Sequence, residues 1–291
     1  MSRKVVIQKV DLDTALTAFI LGVSEKDEIV VVRDKASPED LADPEVICIE
    51  CGGSGQTHLG NFDHHDTAEP LPPACLQAHR LRFGPKDNEP LERLVDYVSL
   101  LDTQGPEALK AHSKLPEGAF PTLSDVFSGM LLITKDPKEQ LVRGIQICEA
   151  VVKQGIEPWG LMPELPQWEG YLEAKRQNNE AIQRAIASAQ FFETKSGLRA
   201  GFVETEVIGA LGALYGRGCQ IAIAYSPRFG NPPVPKYTIA GNGVRVDSLL
   251  QLLNEREAGW GGPAHGTIIG SPRVGSKLKP HEVKAIVREY L

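Results

Sequence analysis

The sequence predicts an α/β protein in which a domain built on a mostly parallel sheet is joined by a long helix to a smaller α/β domain. Three observations predict it. Short apolar runs of strand length alternate with helical stretches early in the chain, the pattern of parallel strands connected by crossovers. A stretch free of proline and rich in strong helix formers, 167–192, follows, with Gly170 as its one breaker. Beyond it the pattern is strand-like again. The expected boundaries are 1–165 for the first domain, 166–193 for the connecting helix and 194–291 for the second domain.

In chain order, Val5-Val6-Ile7-Gln8 reads as a short buried strand and Thr14 to Leu21 as the helix behind it, with Asp11 and Asp13 in the turn between them. Acidic side chains at the carboxyl end of a strand stand where open α/β sheets place their ligand crevice. Ile29 to Val32 reads as a second strand, and Val46 to Ile49 as a third that ends at Glu50 and runs into the flexible Cys51-Gly52-Gly53-Ser54-Gly55. After the proline-rich Glu69-Pro70-Leu71-Pro72-Pro73, helical spacing returns at Leu91, Leu94, Val95, Val98 and Leu101, closed by Asp102. Leu123 to Ile133 and Pro137 to Lys153 are further helices, the latter with proline in its first turn. The stretch 167–192 reads as one solvated connecting helix. Ala200 to Val203, Gln220 to Ala224, Tyr237 to Ala240 and Thr267 to Ile269 read as strands. Val246 to Arg256 reads as a helix between strands, and Pro280 to Tyr290 as a terminal helix.

The 291 residues carry a formal net charge of −7, which argues against a broad basic face for duplex DNA or an anionic membrane. Any nucleic-acid substrate should be short. No apolar run reaches the roughly 18 residues of a membrane span. The five cysteines include one Cys48-x-x-Cys51 pair, which overlaps the apolar run 46–49 and so reads as two buried thiols rather than a redox couple or half a zinc ribbon. Their odd number and the lack of a leader predict a reducing cytoplasm.

The stretch that carries chemistry is Asn61-Phe62-Asp63-His64-His65-Asp66. A carboxylate beside two imidazoles suits Mn, Fe, Co or Zn, although a bare Asp-His-His is more often a polar surface loop. Asp11, Asp13, Glu50 and Asp102 each fall at the end of an expected element, so the fold could gather them with Asp63, His64 and His65. Taken singly, Asp13 reads as a helix cap and Asp102 as a helix terminator.

Asp11-Leu12-Asp13, Glu50, Asp63-His64-His65 and Asp102 resemble, in order, the amino-terminal motifs of the DHH/DHHA1 phosphoesterase superfamily. The Gly-rich segment from Gly259 to Arg273 resembles the substrate loop of its carboxy-terminal domain. The resemblance spans nearly the whole chain and implies a DHH-type metal-binding catalytic domain, a linker helix and a DHHA1-type substrate-binding domain. It implies Asp11, Asp13, Glu50, His64 and Asp102 as metal ligands, with Asp63 and His65 catalytic and His65 on the substrate's phosphate. It implies Lys9, Gly261, Gly262, His265, Ser271 and Arg273 around the substrate. The cofactor would be one or two divalent ions, Mn²⁺ first, with Mg²⁺ or Co²⁺ as alternatives. The partner would be a small phosphorylated nucleotide or short single strand, and a homodimer is admitted.

Departures from the pattern are specific. Lys9 and Ile7 stand where a ligand usually precedes the Asp-x-Asp, Glu50 stands for an aspartate, and Pro263 stands for the histidine after the glycines, leaving His265 as a displaced substitute. The readings are therefore an active hydrolase with one tightly held ion, in which Lys9 takes over charge neutralisation, and a degenerate relative that binds its ligand without turnover. Pyrophosphate or polyphosphate remains an alternative substrate.

Overall fold

The structure is a computed structural model. It describes residues 2–291 except Asp66, Ala68, Glu69, 84–87, Glu117 and Ala264, and it leaves out the side chains of Glu107 and Lys110. Asp66 of the Asp-His-His stretch, Glu69 of the proline-rich segment and Ala264 of the glycine loop therefore lie outside the described residues. The chain divides into two compact units, Met1–Lys175 and Arg176–Leu291.

The first unit runs β1 (Lys4–Ile7), α1 (Leu12–Ile20), β2 (Glu28–Val31), α2 (Pro38–Ala42), β3 (Val46–Ile49), a 3-10 turn at Thr57–Leu59, β4 (Asn61–Phe62), α3 (Ala74–Arg82), α4 (Glu89–Gln104), α5 (Pro106–His112), α6 (Leu123–Ile133), α7 (Pro137–Lys153) and a second 3-10 turn at Pro166–Trp168. α8 (Glu169–Ala187) begins in this unit and ends in the next. The sheet order is β2-β1-β3-β4 and every pairing is parallel. Val5, Val6 and Ile7 are all buried, as expected of a strand covered on both faces. Leu16, Leu94, Leu123, Met130, Leu141 and Trp168 fill the core beside the sheet. Gly129 lets α6 touch the start of α8, because a Cβ there would lie 2.0 Å from the Tyr171 carbonyl oxygen.

Several local readings change. Asp13 lies inside the first turn of α1 rather than in the turn before it, because Asp11 is the N-cap. Asp102 sits within α4, which continues to Gln104. The stretch 167–192 is not one helix, since α8 ends at Ala187 and Gln190–Glu193 is a strand. Nor is α8 solvated all round: Tyr171 and Leu172 belong to the first unit's core and Ile186 to one of the second's.

The second unit continues with β5 (Gln190–Glu193), β6 (Arg199–Glu204), α9 (Ala210–Tyr215), β7 (Ile221–Phe229), β8 (Val234–Gly241), α10 (Leu250–Arg256), β9 (Ile268–Gly270) and α11 (Pro280–Tyr290). The expected helix 246–256 is a 3-10 turn, Asp247–Leu249, followed by α10. Its sheet order is β5-β6-β7-β8-β9, parallel between β6 and β7 and antiparallel elsewhere. Successive residues of a strand face opposite sides. Ile221 and Ile223 accordingly pack with Tyr237, Leu253 and Val283 on one face, and Ala222 with Ile186 and Leu214 on the other.

Candidate metal centre

The parallel sheet delivers Lys9, Asp11 and Glu50 just beyond the carboxyl ends of β1 and β3, with Asp63, His64 and His65 beyond β4. Asp11 caps α1, its Oδ1 accepting from the Thr14 N–H at 3.0 Å. Its Oδ2 lies 3.1 Å from Lys9 Nζ. Burial alone would lower the Lys9 pKa, but Asp11 beside it, helped by Glu50 and Asp102, holds it above the ordinary value.

Asp13 is buried and spans the start of α3, its Oδ2 accepting from the Ala74 N–H at 2.9 Å and its Oδ1 from the Cys75 N–H at 2.8 Å. Burial pushes its carboxyl up to about 6, only partly offset by the Cys75 hydrogen bonds. Asp63 is fixed differently. Its Oδ2 accepts from the Gly52 N–H at 2.5 Å, and its Oδ1 takes the His65 N–H at 2.7 Å and faces His65 Nδ1 at 3.1 Å. Burial would raise Asp63, but these hydrogen bonds outweigh it and hold the carboxyl at about 2. The same contact raises the His65 imidazole.

Glu50 is 3% exposed, and it is the non-glycine residue with a left-handed backbone, φ 55°, among the described residues. That turn brings its carboxylate between the two imidazoles despite the extra methylene. Oε1 lies 3.6 Å from His64 Nε2, and Oε2 lies 3.3 Å from His65 Nδ1. Burial, with Asp13, Asp11, Asp63 and Asp102 around it, pushes Glu50 up to about 10. His64 Nε2 also lies 3.1 Å from Asp102 Oδ2. None of these three contacts is a well-directed hydrogen bond: Glu50 Oε1 and Oε2, His64 Nε2 and Asp102 Oδ2 are all buried with no hydrogen-bond partner.

Buried polar atoms without partners are rare and costly. Here they converge with the geometry of a ligand set. Glu50, His64 and His65 form one group able to hold a metal ion, and Asp13, His64 and Asp102 form a second that shares His64. Nitrogen and carboxylate oxygen donors of this kind fit a divalent first-row cation, so the residues present match the ion expected from the sequence.

The first unit thus brings together Lys9, Asp11, Asp13, Glu50, Asp63, His64, His65 and Asp102. Two contributors were missed in the sequence. The amino end of α3 holds Asp13, and Gln77 Nε2 donates to the Asp63 carbonyl at 2.9 Å and to that of Pro72 at 2.7 Å. The signal was Pro72-Pro73 directly before Ala74, a common entry to a helix.

In the second unit, Gly261 pairs with Gly270 across an antiparallel bridge, and a Cβ on Gly262 would lie 2.2 Å from the Ile268 carbonyl oxygen. Gly262 is therefore needed for the loop to lie back on β9, whereas a Cβ at Gly261 would meet nothing within 4 Å. His265 is exposed and its Nδ1 lies 2.8 Å from the Thr267 hydroxyl. Ser271 is turned inward, its Oγ accepting from the Tyr237 N–H at 2.9 Å, while Arg273 is exposed. Lys236, which the sequence reading passed over, donates to the carbonyls of Ser271 and Pro272.

No protein-family model and no curated protein matches the chain. Solved structures do. A pGpG-specific phosphodiesterase, PggH, from Vibrio cholerae matches with a TM-score of 0.61 at 15% identity, covering 98% of each chain. The DHH domain of a member of the s1p family of ribosomal proteins matches with a TM-score of 0.52 at 12% identity, covering 92% of this chain and 82% of that one. The parallel sheet bearing the Asp-His-His stretch, the second mixed sheet and these two likenesses give the chain the two-domain fold of the DHH/DHHA1 superfamily.

Proposed function

We propose that the chain is a DHH-superfamily phosphoesterase, dependent on a divalent metal, that hydrolyses small phosphorylated nucleotides or short oligonucleotides. The observation that carries this reading is the set of buried, partnerless donor atoms on Glu50, His64 and Asp102. The fold likeness to a phosphodiesterase of a dinucleotide supports the substrate class. A cation bound there would supply Lewis-acid activation of water and neutralise charge on the phosphoryl group.

The chain's own residues do the rest. Asp63, held by Gly52, orients His65, whose half-exposed ring is placed to contact a phosphate and to hand a proton to the leaving oxygen. Lys9 contributes a fixed positive charge at the edge of the acidic cluster. In this reading 1–165 is the catalytic domain, 166–193 the linker and 194–291 the substrate-binding domain, where Gly261, Gly262, His265, Ser271 and Arg273 form the phosphate-holding loop. Mn²⁺ is the proposed ion. A single ion is favoured because both ligand groups draw on His64 and both Asp13 oxygens already accept backbone N–H groups.

The test is hydrolysis with Mn²⁺ of a panel of linear dinucleotides, two- to five-residue oligoribonucleotides, a 3′-phosphoadenosine phosphate and pyrophosphate. Turnover should appear on a nucleotide and fall at least about a hundredfold in His64→Ala. Turnover of no member would sink the enzyme reading. The Lys9–Asp11 pair favours the second reading, a binding protein without turnover, which the same panel would show as nucleotide binding by calorimetry with no product.

A further inference from the structure

A separate feature of the second unit has no part in the proposed hydrolysis. β5 is the edge strand of its sheet, and Phe191 in the middle of it is 42% exposed. The ring forms a wall between two grooves. One, of about 450 Å³, is lined by Ile186, Ala187, Phe191, Arg199 and Arg217. The other, of about 230 Å³, is lined by Gln190, Phe191, Phe192, His281, Lys284, Ala285 and Arg288. Cations and aromatic rings interleave here: Arg199 lies 5.4 Å from the Phe191 ring and Arg288 4.9 Å from the Phe192 ring. Lys284 donates to the neutral Gln190 Oε1 at 2.6 Å, which positions its ammonium without cancelling its charge.

Among the described residues Arg199, Arg217, Lys284 and Arg288 form no ion pair, whereas Arg228 and Arg245 of the same unit are paired with Glu206 and Asp247. A net charge of −7 makes such a local cluster of unpaired cations more pronounced. Cations on both sides of an exposed aromatic face are the arrangement by which proteins hold single-stranded nucleic acid: phosphates lie along the charges and a base stacks on the ring. An acidic peptide would use the charges and leave Phe191 without a role. A second copy of the chain, paired edge to edge through β5, would set like charges against one another.

The geometry points to a single-stranded nucleic-acid contact centred on Phe191, distinct from the metal centre and independent of whether the chain hydrolyses its substrate. The two grooves take successive phosphates and the ring takes the base between them.

The test is anisotropy of a fluorescein-labelled twelve-residue oligothymidylate titrated with the full-length protein across a salt series, in EDTA so that no turnover is needed. Phe191→Leu should weaken binding about tenfold through lost stacking, and Phe191→Tyr should restore it. Arg217→Gln/Lys284→Gln should lower the slope of log affinity against log salt by about 1.4. Each variant should keep its wild-type melting temperature. Absence of binding, or binding indifferent to both changes, would overturn the proposal. So would displacement by a polyglutamate peptide with Phe191→Leu silent, or sedimentation showing a dimer that Phe191→Leu dissociates. A failed hydrolysis panel leaves this outcome unaffected, so the two readings fail separately.

Discussion

Lys9 is the residue on which the chemistry of the proposed metal centre turns. An ammonium 3.1 Å from Asp11 Oδ2 answers that carboxylate's charge permanently, and a protonated amine cannot ligate a cation. Replacing it with a neutral imidazole would both release Asp11 and add a donor. In Lys9→His, calorimetry at neutral pH is therefore expected to show a higher Mn²⁺ stoichiometry than wild type. An unchanged count would refute the account in which Lys9 fills an ion's place. The order of the acidic motifs was legible in the sequence because each carboxylate lies within a few residues of an apolar strand or helix that announces itself. The partners of those carboxylates were not. Asp13 takes its hydrogen bonds from N–H groups 61 and 62 residues away, and no local pattern encodes such a pairing.

Among the elements, α3 has the most to lose from a change in the centre. Its first N–H groups have no intrahelical acceptors, and its N-cap is Pro73, which makes no side-chain capping bond. Asp13 supplies the acceptors from another helix. Asp13→Ala should cost about 2–3 kcal/mol, the loss of a cap plus buried donors left bare. Urea unfolding in EDTA, where metal binding cannot contribute, measures that cost, and a loss well under 1 kcal/mol would mean that Asp13 matters only as a ligand. Elements whose signals are local matched the sequence reading. α6, α7 and α11 run as expected, with Thr122 and Asp125 closing a capping box on α6 and Asp136 capping α7. β5 could not be read that way, since Phe191 and Phe192 become a strand only by pairing with Gly201 and Ala200. Taken alone, Gln190-Phe191-Phe192-Glu193 looks like the end of a helix.

At the scale of the whole molecule, each unit has its own core: Leu16, Met130 and Trp168 in the first, Ile223, Tyr237 and Trp260 in the second. Every residue of the proposed metal centre lies in the first unit. Mn²⁺ should therefore stabilise that unit preferentially, by about 2.7 kcal/mol at a free concentration a hundred times its dissociation constant. In Trp260→Phe, fluorescence reports the first unit through Trp159 and Trp168, and its melting temperature should rise with Mn²⁺. In the Trp159→Phe/Trp168→Phe variant, which reports the second unit through Trp260, the rise should be smaller. Equal shifts would mean that the units melt as one. The strained backbone at Glu50 gives this arrangement a direction of drift. A left-handed backbone costs a non-glycine residue about 1–2 kcal/mol, and the carboxylate it carries is buried among others of its own sign. Glycine at that position would relieve both burdens at once. Mutation screened for thermal robustness alone would therefore carry position 50 away from glutamate, and under the proposed function only the demand for a ligand to the ion holds it there.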